Sequence, residues 1–215
     1  MAAISGGKNY HHGDLRNALI CAAVDLATEG GPERVVLREA ARRVGVSPTA
    51  AYRHFDGRGE LLRTVRTHAR CLLADAMEQA AGREPGADDP ALAAERRLAA
   101  LCRGYVGFAV DQPGLYRAAF CAPRPDGTPG PMPEGRAPEP EVRAFTLLRD
   151  ALEGLARLGT SRPVVRPAAG AAAWSAVHGL SLLLLEGPFR RLPAQRRNAV
   201  VETTLAMVVS GTRAL

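Results

Sequence analysis

The sequence predicts an all-α protein, with a small three-helix head at its N-terminus and a larger helical body, about nine helices in total. Three observations predict this. Apolar residues recur at helical spacing almost throughout the chain, and no run alternates as a strand should. The stretch from Leu37 to Phe55, LREAARRVGVSPTAAYRHF, carries small residues, a turn glycine and a helix start in the order of a helix-turn-helix.

The elements follow in order. Asp14 can cap a first helix running to Glu29, with Leu15, Leu19, Ala22, Ala23 and Leu26 on one face, ended by Gly30-Gly31-Pro32. A short second helix spans Leu37 to Val44. Gly45 supplies the turn, a position that tolerates positive φ, and Val44 and Val46 flank it as core anchors. Ser47 is a good N-cap and Pro48 a good first residue for a third helix ending near Phe55, with Ala51 and Phe55 turned inward. A long helix from Gly59 to Ala81 connects head to body, closed by a Pro/Gly/Asp-rich linker. The body then reads as helices at Pro90–Asp111, Leu115–Phe120, Glu141–Leu158, Arg166–Glu186 and Ala194–Ala214, with a Pro/Gly-rich loop at Ala122–Pro140. The expected boundary separates the head, residues 1–58, from the body, residues 59–215.

Composition narrows the partners. The chain has 215 residues, 47% of them hydrophobic, and can bury a real core. Its net charge of +6 permits an anionic partner without demanding one. Cys21, Cys71, Cys102 and Cys121 lie far apart, with no ligand spacing to a histidine, and read as free thiols in a reducing cytoplasm. The N-terminus lacks the apolar core of a signal peptide. Pro167–Leu185 is uncharged and long enough to span a bilayer, yet Gly170, Ser175, His178, Gly179 and Ser181 dilute it. It reads instead as a helix buried on most sides by protein.

Charge is concentrated where the helix-turn-helix lies. Eight arginines from Arg34 to Arg66 face only Glu39, Asp56 and Glu60, which fits a phosphate footprint. The third helix is then the major-groove reader, started by Ser47 and Pro48. Thr49 and Ala50 stand in its first turn as base-edge candidates, and Arg53 is suited to guanine or to phosphate. Tyr52 and His54 are expected on the DNA backbone, Arg58 as a phosphate clamp, and Arg42 and Arg43 as further phosphate contacts. Lys8 and Asn9 could reach the duplex as a loose arm.

From Tyr10 to Leu62 the chain reads YHHGDLR, then the helix-turn-helix ending YRHF, then a basic position and LL. This resembles the DNA-binding domain of the tetracycline-repressor (TetR) family. The segment AAAWSAVHGLSLLLLEG is similar to the Trp–His–Gly signature of one C-terminal domain type in that family. The resemblance implies an all-helical homodimer that binds an operator palindrome and is usually released by a small ligand. Two departures stand out: Ala51 replaces a larger aliphatic residue, and Arg58 stands where lysine is frequent.

In the body, the last two helices are the dimerisation candidates, with Leu180, Leu184, Val201, Leu205 and Val208 as interface residues. Trp174 and His178, four apart, share a helical face. They can line an effector pocket walled by Tyr105, Phe108, Tyr116, Phe120 and Phe145, or serve as a packed Trp and a hydrogen-bonded core His. Few charges lie among them, so the expected effector is largely apolar or aromatic. His11 and His12 lack partners for a metal site, and no cofactor is expected. No nucleophile with its base, GxSxG, HExxH or phosphate-binding glycine loop supports an enzyme. The sequence-level conclusion is a cytoplasmic, DNA-binding regulator. A ligand-released repressor is favoured over an activator or an architectural DNA binder, and no membrane association is expected.

Overall fold

The computed structural model describes residues 12–121, 143–158 and 166–214. Lys8, Asn9, His11 and the segment 122–140, which carried expectations of an arm and a loop, lie outside them. Among the described residues there are nine α-helices, two short 3-10 turns and no strand. The helices are α1 (His12–Gly30), α2 (Leu37–Val44), α3 (Pro48–Tyr52), α4 (Arg58–Gly82), α5 (Pro90–Asp111), α6 (Pro113–Phe120), α7 (Arg143–Arg157), α8 (Arg166–Leu185) and α9 (Ala194–Ala214). The 3-10 turns, at Pro32–Arg34 and Pro188–Arg191, carry no signal in the apolar periodicity. Asp14 is not the cap of α1, because the helix already begins at His12. The third helix is also shorter than expected, stopping at Tyr52.

The helix-turn-helix forms for local reasons. Gly45 adopts φ +78, the left-handed conformation that ends α2 without a Cβ clash. Its neighbour Val46 donates its N–H back to Ala41 O at 3.0 Å, closing the turn. Ser47 then starts α3, its hydroxyl accepting from Ala50 N at 3.2 Å, with Pro48 in the first helical position. Ala40, Ala41 and Ala51 are fully buried, so α2 and α3 approach closely. Phe55 and Leu61 plug the head core beside Leu19 and Leu26 of α1, each burial stabilising by roughly 1.5–3 kcal/mol.

Helix α4 is common to head and body. Leu61, Leu62, Val65, Ala69, Leu73 and Met77 recur at three- and four-residue steps and are buried along its length. They pack α4 against α1 on the head side and α5, α6 and α7 on the body side. A second junction joins α6 to the C-terminal end of α1. Gly114 packs so tightly there that an added Cβ would lie 2.1 Å from Ala27 O.

Helix α8 is less covered than the sequence suggests. Its Ala168–Leu185 window is apolar and long enough to cross a membrane by length and composition, yet 33% of it is buried. Neighbours α5, α7 and α9 cover one flank, while Ala168, Ala172, Ser175 and Leu183 stay exposed on the other.

Candidate nucleic-acid interface and effector cluster

A short helix serves as a reader only if something else fixes its orientation, and here α2 and the head core do so. With Ala51 and Phe55 buried, Pro48, Thr49, Tyr52 and Arg53 are left exposed. Tyr52 keeps 49% of its surface accessible, so its ring is available on this face. Ala50 and His54 are half-buried at the edges of this face. Arg53 makes no side-chain hydrogen bond or ion pair within the chain among the described residues.

The other expected contacts divide. Arg42 forks onto Glu39 at 2.9 and 2.7 Å, and Arg43 forks onto Glu29 at 2.6 Å through both nitrogens. The Arg42 hydrogen bond and charge hold the Glu39 carboxyl down to about 2, so it is ionised at neutral pH. Both pairs are exposed and worth little in water, so a phosphate can displace either carboxylate. Arg58 is already engaged within the chain. Its Nε donates to Val35 O at 2.9 Å and an Nη to Pro32 O at 2.8 Å, so it ties the α1–α2 connection to α4. The side chain stays exposed at the surface while making these two bonds.

Sequence reading missed Arg16. Its guanidinium lies 4.6 Å over the Phe55 ring and pairs with Glu60 at 3.3 Å. The same Glu60 accepts from Asp56 N at 2.8 Å, so one carboxylate fastens the α3–α4 corner to α1. A capping pattern of Asp-Gly followed by Glu was the available signal.

In the body, the seven expected pocket residues do not all converge. Tyr105, Tyr116, Phe120, Trp174 and His178 form one cluster of rings, joined by Phe145 through Trp174. Phe108 is buried but makes no ring contact with the cluster. Trp174 stacks on His178 with an interplanar angle of 11°. Both phenol oxygens, of Tyr105 and of Tyr116, lie 2.8 Å from His178 Nδ1. Burial pushes both phenols above their usual range and pulls the imidazole below its own, so all three are neutral at pH 7. From α4, the Arg70 guanidinium sits 5.5 Å over the Phe120 ring.

The expected dimer residues also divide. Leu180, Leu184 and Leu205 are buried in this chain's own core, because α8 and α9 present those positions to each other and to α5. Val201 and Val208 are half-buried, whereas Leu183 (39%) and Met207 (69%) are the exposed large apolar residues of the two helices. Among the described residues, no group of three or more His, Cys, Asp or Glu could hold a metal ion.

Comparison with known proteins agrees with this architecture. Residues 19–65 match the family described as bacterial regulatory proteins, tetR family, and residues 98–208 match the tetracyclin repressor-like C-terminal domain. No curated protein is similar enough in sequence to match. A protein of unknown function from Rhodococcus sp. RHA1 is 24% identical, with a TM-score of 0.74, covering 96% of this chain and 100% of that one. A candidate regulatory protein, SCO4313, is 27% identical with a TM-score of 0.61 over 93% of this chain and 97% of its own. The transcriptional regulator PfmR from Thermus thermophilus is 22% identical, with a TM-score of 0.54 over 89% of this chain and 97% of its own.

Proposed function

Because this chain belongs to the tetR family of bacterial regulatory proteins, and is a DNA-binding transcriptional regulator rather than an enzyme, we propose that it is a ligand-released repressor. It acts in the cytoplasm as a homodimer on a palindromic operator, with residues 1–58 reading DNA and 59–215 binding ligand and partner. The observation that carries the reading is the exposed face of α3, where Thr49, Tyr52 and Arg53 project from a helix anchored by Ala51 and Phe55. Two such faces are needed, because one short helix spans too few base pairs to be selective.

Dimerisation is supported by the bare flanks of α8 and α9. Ala172, Ser175 and Leu183 on one, with Thr203, Ala206 and Met207 on the other, are small or apolar and exposed. Ligand in the body shifts α4 and changes the spacing of the two heads, so that both α3 helices no longer fit successive major-groove turns about 34 Å apart. The effector is apolar or aromatic in the main, matching the ring cluster.

The test is salt-dependent binding to the DNA upstream of the protein's own gene. Sequence-selective binding is expected, and Arg53→Ala should weaken it by about 1–3 kcal/mol. Equal affinity for any duplex would point to an architectural role, and absence of DNA binding would refute the reading.

A further inference from the structure

The corner between α8 and α9 concentrates positive charge outside the head. From Gly187 to Val201 the chain holds four arginines, Arg190, Arg191, Arg196 and Arg197, and no carboxylate. Arg190, Arg191 and Arg196 are exposed, and Arg197 is half-buried. Among the described residues none of the four guanidiniums pairs with a carboxylate. Glu202, the next acid along the chain, is held by Arg103 of α5 through two bonds of 2.9 Å. Like charges left together repel one another, so such a corner is relieved by a polyanion.

The corner is also rigid. The Gly187 N–H donates to Leu182 O at 3.1 Å, the Leu192 N–H to Phe189 O at 3.1 Å and the Arg197 N–H to Pro193 O at 2.9 Å. Pro188 opens the 3-10 turn, and Phe189 packs on the core. The exposed amides of Gln195 and Asn198 stand beside the arginines, and no large apolar side chain is exposed on the corner. That surface suits phosphate oxygens, whereas insertion into a lipid surface calls for exposed apolar groups.

Two observations put the corner on the head side of the body. Glu186, just past α8, acts electrostatically on the Cys121 thiol just past α6, and so does Glu33 of the head. Helix α9 then leads away from the head. Arg103 links Glu202 to Glu84, which lies beyond the far end of α4, and Ala194 begins α9 about two turns, or roughly 12 Å, earlier.

We propose that Arg190, Arg191, Arg196 and Arg197 form a second DNA-contact surface, which holds phosphates of the operator segment between the two half-sites and reads no bases. This rests on the homodimer reading above, in which α8 and α9 pair and bring two such corners together on the side of the duplex.

The experiment titrates the purified full chain over a range of salt. One probe is a duplex from the DNA upstream of the protein's own gene; the other is a random-sequence duplex of the same length. Changing all four arginines to glutamine should reduce the slope of log affinity against log salt by about 2 or more on both duplexes, equivalent to one phosphate contact per protomer. At physiological salt, affinity should fall about tenfold or more, with the preference for the upstream duplex retained. Four lysines in the same places should keep the slope. Arg96→Gln with Arg97→Gln, exposed near the start of α5 at the far end of α4, is the control and should leave the slope unchanged. Circular dichroism and sedimentation check that each variant is a folded dimer; if the fourfold variant is not, Arg196→Gln with Arg197→Gln decides against the control pair. An unchanged slope, or an equal change in the control, would overturn the proposal. So would lost binding to phosphatidylglycerol vesicles with DNA binding intact, which assigns the arginines to a membrane. A wild-type chain that shows no preference for the upstream duplex refutes the repressor reading, and the surface is then judged by its slope on the random duplex. A preference that persists beside a slope indifferent to the arginines refutes the surface alone.

Discussion

Single side chains govern the stability of both candidate sites. Ser47 is the only side-chain cap of α3, so Ser47→Ala should lower the midpoint of thermal unfolding through a loss of about 1 kcal/mol. Operator affinity should fall with it, because the reader helix frays; calorimetry and a DNA titration check the two effects. His178 makes stability depend on pH. Burial lowers its folded pKa below the unfolded value of 6.5, so the unfolded chain binds more protons as the pH falls past that point. Stability should therefore be complete above pH ~7 and decline toward pH 5, as the imidazolium would also lose its acceptor for the tyrosines. Denaturant titrations at both pH values should show this slope, and His178→Gln should flatten it. Several residue roles were legible in the sequence. Ser47, Pro48 and Gly45 could be read because capping and positive φ are local properties. The tie that Arg58 makes to two carbonyls could not, because those partners lie far back in the chain at Pro32 and Val35. The burial of Leu180, Leu184 and Leu205 within this chain was hidden for a similar reason: periodicity shows that a helix has an apolar face, and only packing shows which neighbour covers it.

At the scale of elements, the helices were the most legible feature, since α2, α5 and α9 begin and end where caps, prolines and apolar spacing place them. The shortness of α3 was hidden, because the residues after Tyr52 keep a helical pattern while Arg53 and His54 already form a turn. Also hidden was the junction of α6 with α1, which depends on a close approach between distant segments. That junction gives the head a second mechanical link to the body beside α4, and Tyr116 and Phe120 of the ring cluster ride on α6. Gly114→Val should force α6 off Ala27 and Thr28, lowering stability by about 1–3 kcal/mol. If α6 transmits the ligand's effect, the same variant should weaken operator binding without ligand; Gly82→Ala, at a position with open space, is the control.

At the scale of the whole molecule, the proposed pairing rests on two helix flanks. Helix α8 leaves a bare apolar flank, and Met207 is exposed on α9. Leu183→Glu with Met207→Glu should turn a dimer into a monomer in sedimentation equilibrium while the helical circular dichroism signal is retained. A wild-type monomer at micromolar concentration would contradict the pairing. The five residues of α3 carry a further consequence, best put as information. Five helical residues advance about 7.5 Å, or roughly two base-pair steps of 3.4 Å. Singling out one address among ~10⁶ competing sites takes about ten fully specified base pairs, since each supplies one choice in four. A lone head therefore holds only a fraction of an address. In the homodimer proposed above, the rest is supplied by the second head and by the distance between the two, which makes spacing itself part of the operator's code.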